Sequence, residues 1–269
     1  MRGFGFVSAI KIAGGALALA INVAGAAAAW AGPPARVASL NLCTDELLLA
    51  LAAPGQISSL THLSHDRRES AYWRMAGRYP ANSGTILSVA KDKPDLIVTM
   101  GGGGRDSAGL ASAIGARFVD LPFPATVSDV ERGIAILAGA LERGRQGAAL
   151  KAAVRRTLVA TPPRLTDAVF IGSAGRSMAA TGAGAEWLAA AGYRQIALPG
   201  DRISRETLLR SPPLTLVVSN YRTDQYSRSD LVPVSRPRDK RIVTDGRRWT
   251  CMGPSLVPEI LRLRRVAGR

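Results

Sequence analysis

Cysteine, histidine and aromatic residues are scarce in this 269-residue chain: two Cys, two His and 5% Phe, Trp and Tyr. Two cysteines exclude a zinc ribbon or a multiply bridged scaffold. His62 and His65 are the only histidines, which leaves little material for a His-rich metal centre or a conventional catalytic triad. The enzyme signatures are also missing. GGGGRD after DLIVTM places glycines at a strand end, without the Lys and Ser or Thr of a phosphate loop and without GxGxxG spacing. IGSAGRS around Ser173 lacks the GxSxG elbow of a serine hydrolase. A non-enzyme is therefore expected, with a periplasmic hydrolase as the weaker alternative.

Acidic residues are in deficit, 20 against 35 basic, for a formal charge of +15. The surplus suits an anionic ligand or a membrane surface, and an Arg-rich composition accounts for it equally well. The arginines are scattered as GRYP, ERGR, VRRT, GRRW and LRLRR, without the aromatic interleaving of a nucleic-acid reader, so no nucleic-acid partner is expected. Long apolar runs are absent after Ala31. Before it, Arg2 and Lys11 precede an apolar run from Ile12 to Ala29, and Ala29, Trp30, Ala31 place small residues where a signal peptidase reads. Residues 1–31 are expected to be a signal peptide cleaved after Ala31, the alternative being a retained anchor. Without them the charge falls to about +13 over about 238 residues, enough for two modest domains.

Strand and helix then alternate. Strands are expected at Arg36–Leu40, Ile57–Leu60, Asp95–Met100 and Arg117–Leu121, with helices at Thr44–Ala53 behind a Thr44 cap, Thr85–Lys91 and Ser107–Ile114. Asp45 and Glu46 fall in the favourable first turn of the first helix. Residues 61–84 read as polar and irregular. From Ser128, which forms a capping box with Glu131, apolar residues recur at helical spacing through Leu158. This is one helix of about 30 residues, or two broken near Gly144 and Gly147, closed by Pro162 and Pro163. Alternation resumes with Ala168–Gly172, Ala185–Ala191, Gln195–Leu198, Ser204–Arg210, Leu214–Ser219, Arg241–Thr244 and a last helix Leu256–Val266. The fold class is α/β, two Rossmann-like lobes with largely parallel sheets joined by a single long α-helix: residues 32–127, the linking helix 128–161, and residues 162–269.

Four segments in order, RVASLNLCTDELLLAL, SVAKDKPDLIV, ISRETLLRSPPLTLVVS and WTCMGPSLVPEIL, resemble the helical-backbone class of ABC substrate-binding proteins, which includes receptors for cobalamin, ferric siderophores and haem. The resemblance implies a periplasmic, monomeric receptor with no intrinsic cofactor, which delivers a small-molecule chelate of cobalt or iron to an ABC permease at the inner membrane. It implies a docking Glu on each lobe. Glu206 in ISRETLL matches the second, whereas the first falls at Leu87 or Ser88, where no acid stands and Asp92 is the nearest substitute. A non-transport ligand sensor on the same fold is the alternative that this gap keeps open.

Loops after strand ends line the cleft of open α/β sheets. The ligand-binding candidates are Asn41, Cys43, His62, His65, Tyr79, Asn82, Arg105, Tyr221, Arg222, Trp249 and Cys251. Aromatic faces suit a flat macrocycle, and Arg suits its carboxylates or phosphate. His62 and His65 can share a face, with Asp66 and Glu69 near in sequence, but no dense ligand set supports a bare metal site. Cys43 and Cys251 are expected to form a disulfide, an even count in an exporting compartment making a bridge the default; two free thiols facing a soft metal centre are the alternative.

Overall fold

The computed structural model describes residues 32–102, 104–162, 164–172, 176–204, 206, 215–221 and 240–267, the side chains of Gly104 and Arg105 excepted. The expected signal segment, residues 1–31, lies outside them. Among the described residues no helix is long and apolar enough to cross a membrane.

Five strands, β1 (Val37–Ser39), β2 (Ile57–Thr61), β3 (Ala81–Asn82), β4 (Leu96–Met100) and β5 (Arg117–Leu121), form an all-parallel sheet in the order β3-β2-β1-β4-β5. Four more, β6 (Thr166–Ile171), β7 (Tyr193–Gln195), β8 (Thr215–Ser219) and β9 (Lys240–Thr244), form a second parallel sheet ordered β7-β6-β8-β9. Both sheets are apolar on both faces, as parallel sheets covered by helices must be. In β4, Leu96 and Val98 enter the main core while Ile97 packs with Ile86, Val89 and Ala111 on the other side. In β8, Val217 enters the main core while Leu216 and Val218 pack with Val169 and Ile171.

The helices of the first lobe are α1 (Leu42–Leu51), α2 (His62–His65), α3 (Trp73–Ala76), α4 (Ile86–Ala90) and α5 (Gly104–Ala113). The stretch expected to be irregular thus holds two short helices and an edge strand. Asn41, not Thr44, caps α1: its side chain accepts from Cys43 N at 2.8 Å, while the Thr44 hydroxyl donates back to Asn41 O.

The connection between lobes is two helices, α6 (Val127–Ala140) and α7 (Gly144–Val159), so the two-helix form of the expected linker holds and the single long helix does not. The break falls at residues 141–143, where Glu142 takes a left-handed φ of 56°. The α6 capping box uses Thr126 and Asp129 rather than Ser128 and Glu131. The helices return on each other: Arg155 grips Glu131 with Nε 2.9 and 2.8 Å from the two carboxylate oxygens. A Cβ on Gly147 would lie 2.5 Å from Ala138 Cβ, so only glycine permits this approach. Glu131 is thereby a partner of α7 rather than a cap.

The second lobe adds α8 (Ala183–Ala190) and α9 (Val257–Ala267). The hairpin crosses between lobes twice. Val127 N donates to Glu186 of α8 at 3.0 Å, the far end of α6 offers Leu141 O to Gln56 at 3.0 Å, and α7 returns to place Thr157 O 2.6 Å from Arg264 of α9. One apolar core runs through both lobes by way of Ile134, Leu137, Leu141 and Val154.

Candidate functional site

In doubly wound sheets a ligand crevice opens outside the carboxyl ends of the strands, where the strand order reverses. The reversals here lie between β1 and β4 and between β6 and β8. Each carries a cavity. The first, about 360 Å³, is lined by Leu40, Thr85, Leu87, Gly102, Leu110 and Phe118 among others. The second, about 340 Å³, is lined by Phe170, Arg176, Met178, Tyr221, Trp249 and Met252 among others. A larger depression of about 700 Å³ follows the outer edge of the first sheet past Arg36, Gly55 and Lys91. It includes residues that precede the strands, so it is not at the reversal.

Between the two cavities the lobes are sewn together. Cys43 at the start of α1 and Cys251 form a disulfide with Cα atoms 5.2 Å apart, joining positions 208 residues apart in sequence. Leu40 of the first cavity precedes this bridge by three residues, and Met252 of the second follows it directly. Further out, the Tyr221 hydroxyl donates to Glu69 at 2.6 Å and Arg247 Nη1 to the Arg67 carbonyl at 2.6 Å. The Arg248 guanidinium stands 5.7 Å from the Tyr72 ring. Arg247 is aimed by Asp245, which accepts from its Nε and Nη2 at 2.8 Å each. Burial opposes ionisation of Asp245, but the hydrogen bonds and charge of Arg247, with Arg248 behind, hold its carboxyl below the usual range. Gly246 is required here: a Cβ would fall 1.8 Å from Ser219 Oγ and 2.6 Å from Tyr221 Cβ.

No protein-family description and no curated protein matches the chain. Solved structures do. The periplasmic haem-binding protein RhuT from Roseiflexus sp. RS-1, in apo form, aligns with a TM-score of 0.68 at 17% identity over 86% of this chain and 97% of that one. The periplasmic vitamin B12-binding protein BtuF of Vibrio cholerae gives 0.63 at 14% identity over 88% and 99%. An ABC-type Fe3+-hydroxamate transport system protein from Saccharomonospora viridis gives 0.58 at 17% identity over 88% and 94%. The chain has the fold of these periplasmic binding proteins. Of the two cavities, one is lined by residues of the first lobe and the other by residues of the second.

On this fold the expected site residues divide. Tyr221, Trp249, Cys43 and Cys251 do come together around the second cavity and the seam. Trp249 is only 4% exposed, donates to Thr244 Oγ1 at 2.9 Å and packs on Phe170 with ring centroids 4.9 Å apart, so it is a wall rather than a mobile reporter. Asn41 is spent on its cap. Asn82 is buried, its Nδ2 donating to Ser39 O and Ser59 Oγ and its Oδ1 accepting from Gly84 N, which ties β1 and β2 to the loop before α4. His65 has Nδ1 2.9 Å from Thr61 O and Nε2 3.0 Å from Tyr79 O, so neither nitrogen is open to a metal, and Tyr79 packs on the core. His62 is exposed on the outer depression, away from the reversal. Among the described residues no cluster of three metal-ligating side chains exists. Arg222 and the Arg105 side chain lie outside the described residues. Glu206 is exposed.

Sequence reasoning passed over Arg176, Met178 and Met252 of the second cavity, and it named Glu69 only beside the histidines, not as the acceptor of Tyr221 in the seam. It also missed that Glu46 is buried with no hydrogen-bond partner among the described residues. The signal available was an acid set among Leu42, Leu47, Leu48 and Leu51, all buried; with the helix starting at Leu42 only Asp45 lies in its first turn, and Glu46 falls beyond it.

Proposed function

We propose that the chain is the extracytoplasmic receptor of an ABC importer and holds a haem, corrinoid or ferric-siderophore ligand between its lobes. The observation that carries this reading is the pair of cavities at the two strand-order reversals, flanking one seam and lined by apolar, aromatic and thioether side chains with Arg176 at hand. Such walls suit a large ligand with an apolar body and peripheral acids. The solved structures that share the fold support it, since their names give haem, vitamin B12 and Fe3+-hydroxamate. Absorbance and calorimetric titration with haemin, cyanocobalamin and a ferric hydroxamate should give saturable binding for at least one. Absence of binding to all three would overturn the reading.

Delivery to a permease is the second half of the proposal. Glu206 is exposed and suits a docking role, while Leu87, at the position where the first lobe would offer an acid, is 79% exposed. The first lobe therefore offers no carboxylate at this position, and Asp92 is the nearest acid in sequence. Glu206→Arg should impair uptake in cells and leave ligand affinity nearly unchanged, because a reversed rim charge acts on the encounter with the partner. Unchanged uptake would favour a sensor on the same fold.

A further inference from the structure

Glu46 sits one turn beyond Cys43 in α1 and is 5% exposed. Among the described residues neither of its carboxylate oxygens has a hydrogen-bond partner. It borders a cavity of about 20 Å³ walled by Cys43, Met100, Pro122, Pro124, Cys251 and Gly253, thus by both lobes and the crossover between them. That space holds roughly one water. An unpaired carboxylate in such a place costs several kcal/mol, and the neutral acid much less.

The groups around it do not cancel the charge. On its own helix Asp45 adds a like charge when ionised; it accepts from Thr61 N at 3.1 Å, and burial pushes its own carboxyl up to about 6, so it titrates just below Glu46. Asp129 of α6 borders the same cavity but is tied to Thr126 and Arg132. From the second lobe, Ser255 and Arg248 favour ionisation and Asp245 opposes it. Yet the Ser255 hydroxyl donates to Arg248 O at 3.3 Å, and Arg248 donates to Ser255 O at 3.0 Å and lies 3.6 Å from Asp245, so neither closes on Glu46. Tyr72, on the segment before α3, adds only a neutral phenol.

We propose that Glu46 is a proton-binding site of the lobe interface: the closed seam holds the proton, and loss of the proton loosens the seam and weakens retention of a ligand between the lobes. Desolvation is the leading cause that raises its pKa, to about 7, so the exchange falls at neutral pH. The disulfide prevents separation at Cys43, and loosening is therefore a tilt about the bridge, which strains the outer contacts of Arg247 with Arg67 and of Tyr221 with Glu69. Deprotonated Glu46 gains a partner if the Ser255 hydroxyl turns to it from its 3.3 Å bond to Arg248 O, if Arg248 leaves Ser255 and Asp245, or if more water enters. The ligand part rests on the receptor reading above; the proton part does not.

The experiment has three arms on the full chain. In the first, the side-chain carboxyl carbon of Glu46 is followed by NMR in protein labelled at Glu and assigned by its loss in Glu46→Gln. A midpoint near 7 is expected, and a midpoint at the ordinary Glu value of 4.5 would overturn the proposal. In the second, hydrogen exchange of residues 42–51 and 245–256, corrected for intrinsic rate, is compared at pH 6 and pH 8 without ligand. Protection should fall several-fold at the higher pH in the wild type and stay level in Glu46→Gln; equal pH dependence in both would sink it. In the third, haemin affinity is measured at both pH values, and one linked proton allows at most about tenfold per pH unit above the pKa. A fall absent from Glu46→Gln supports the coupling, and the same fall in both proteins overturns it. If haemin does not bind at all, the receptor reading loses that ligand while the first two arms still decide the proton site.

Discussion

Glu46 and Glu259 are both 5% exposed acids near the amino ends of helices, and they are opposites. Glu259, on α9, accepts from Thr244 Oγ1 at 2.6 Å, from Asp245 N at 3.1 Å and from Arg262 at 2.6 and 3.0 Å. All of its donors belong to its own lobe. Glu46 has none, and the polar groups that bear on its charge come from both lobes, Asp45 from its own and Ser255, Arg248 and Asp245 from the other. Burial pushes both carboxyls up, but Arg262, Thr244 and Asp245 reverse that for Glu259 and hold it below its usual range, whereas Glu46 is left at about 7. An acid that completes a lobe is satisfied; an acid at a seam is left responsive.

The largest expected effect comes from removing the seam's covalent part. Cys43→Ser with Cys251→Ser should lower the unfolding free energy by about 5 kcal/mol in the chain-entropy limit, given a loop of 208 residues. Denaturant melts with and without reductant measure it. Two reactive thiols in the denatured, unreduced wild type would remove its basis. The environment of Glu46 should change in this variant and that of Glu259 should not.

Next, Glu259→Ala strips four donors of their acceptor and should cost about 3 kcal/mol at neutral pH. The pH dependence has a definite sign: a lowered folded pKa gives stability present above the unfolded value and lost as pH falls through the folded one. Wild-type stability should therefore erode in acid in a way that this variant does not.

Glu46→Gln should act the other way. A folded pKa of about 7 against 4.5 means that the folded protein binds the proton more tightly, so the contribution is whole below about 4.5 and lost as pH rises through about 7. The variant should be more stable than wild type at pH 8 by about 1–3 kcal/mol and nearly equal at pH 4.5, the range allowing for a buried amide still short of partners. Thermal melts across that window check it. A variant less stable at pH 8 would mean that Glu46 is paired after all.

The smallest effect is expected at the hairpin. Gly147→Ala gains helix propensity but must push Ala138 away, for a net cost of about 1–2 kcal/mol. Because the displaced helices join the lobes, the NMR midpoint of Glu46 should shift while the Glu259 environment stays put.

The alternation of apolar strands and amphipathic helices was legible because buried parallel strands such as Leu96–Met100 and Thr215–Ser219 read as short continuous apolar runs. Caps were less so. Thr44 and Ser128 have the right chemistry, but Asn41 and Thr126 stand where the backbone is extended and can turn into the helix. The linker was ambiguous for a similar reason: helical periodicity survives a three-residue turn, and the fold-back shows only in contacts across it, Gly147 with Ala138 and Arg155 with Glu131. Of the candidate residues, those placed after strand ends include Tyr221 and Trp249, which line the second cavity, and the two cysteines, which form the bridge. The same placement misassigned His65 and Asn82, because a loop side chain after a strand can turn inward to serve unpaired backbone groups, which sequence position alone does not distinguish.

The single bridge has a consequence for biogenesis. With two cysteines in the sequence, only one intramolecular pairing exists, so the molecule needs an oxidant but has no wrong internal bridge for an isomerase to correct. The partners lie 208 positions apart, and Cys43 must wait as a thiol until nearly the whole second lobe has been made. During that interval its error channel is another chain, and the characteristic misfolded product is a disulfide-linked dimer whose yield rises with synthesis rate and falls as a mild reductant is supplied.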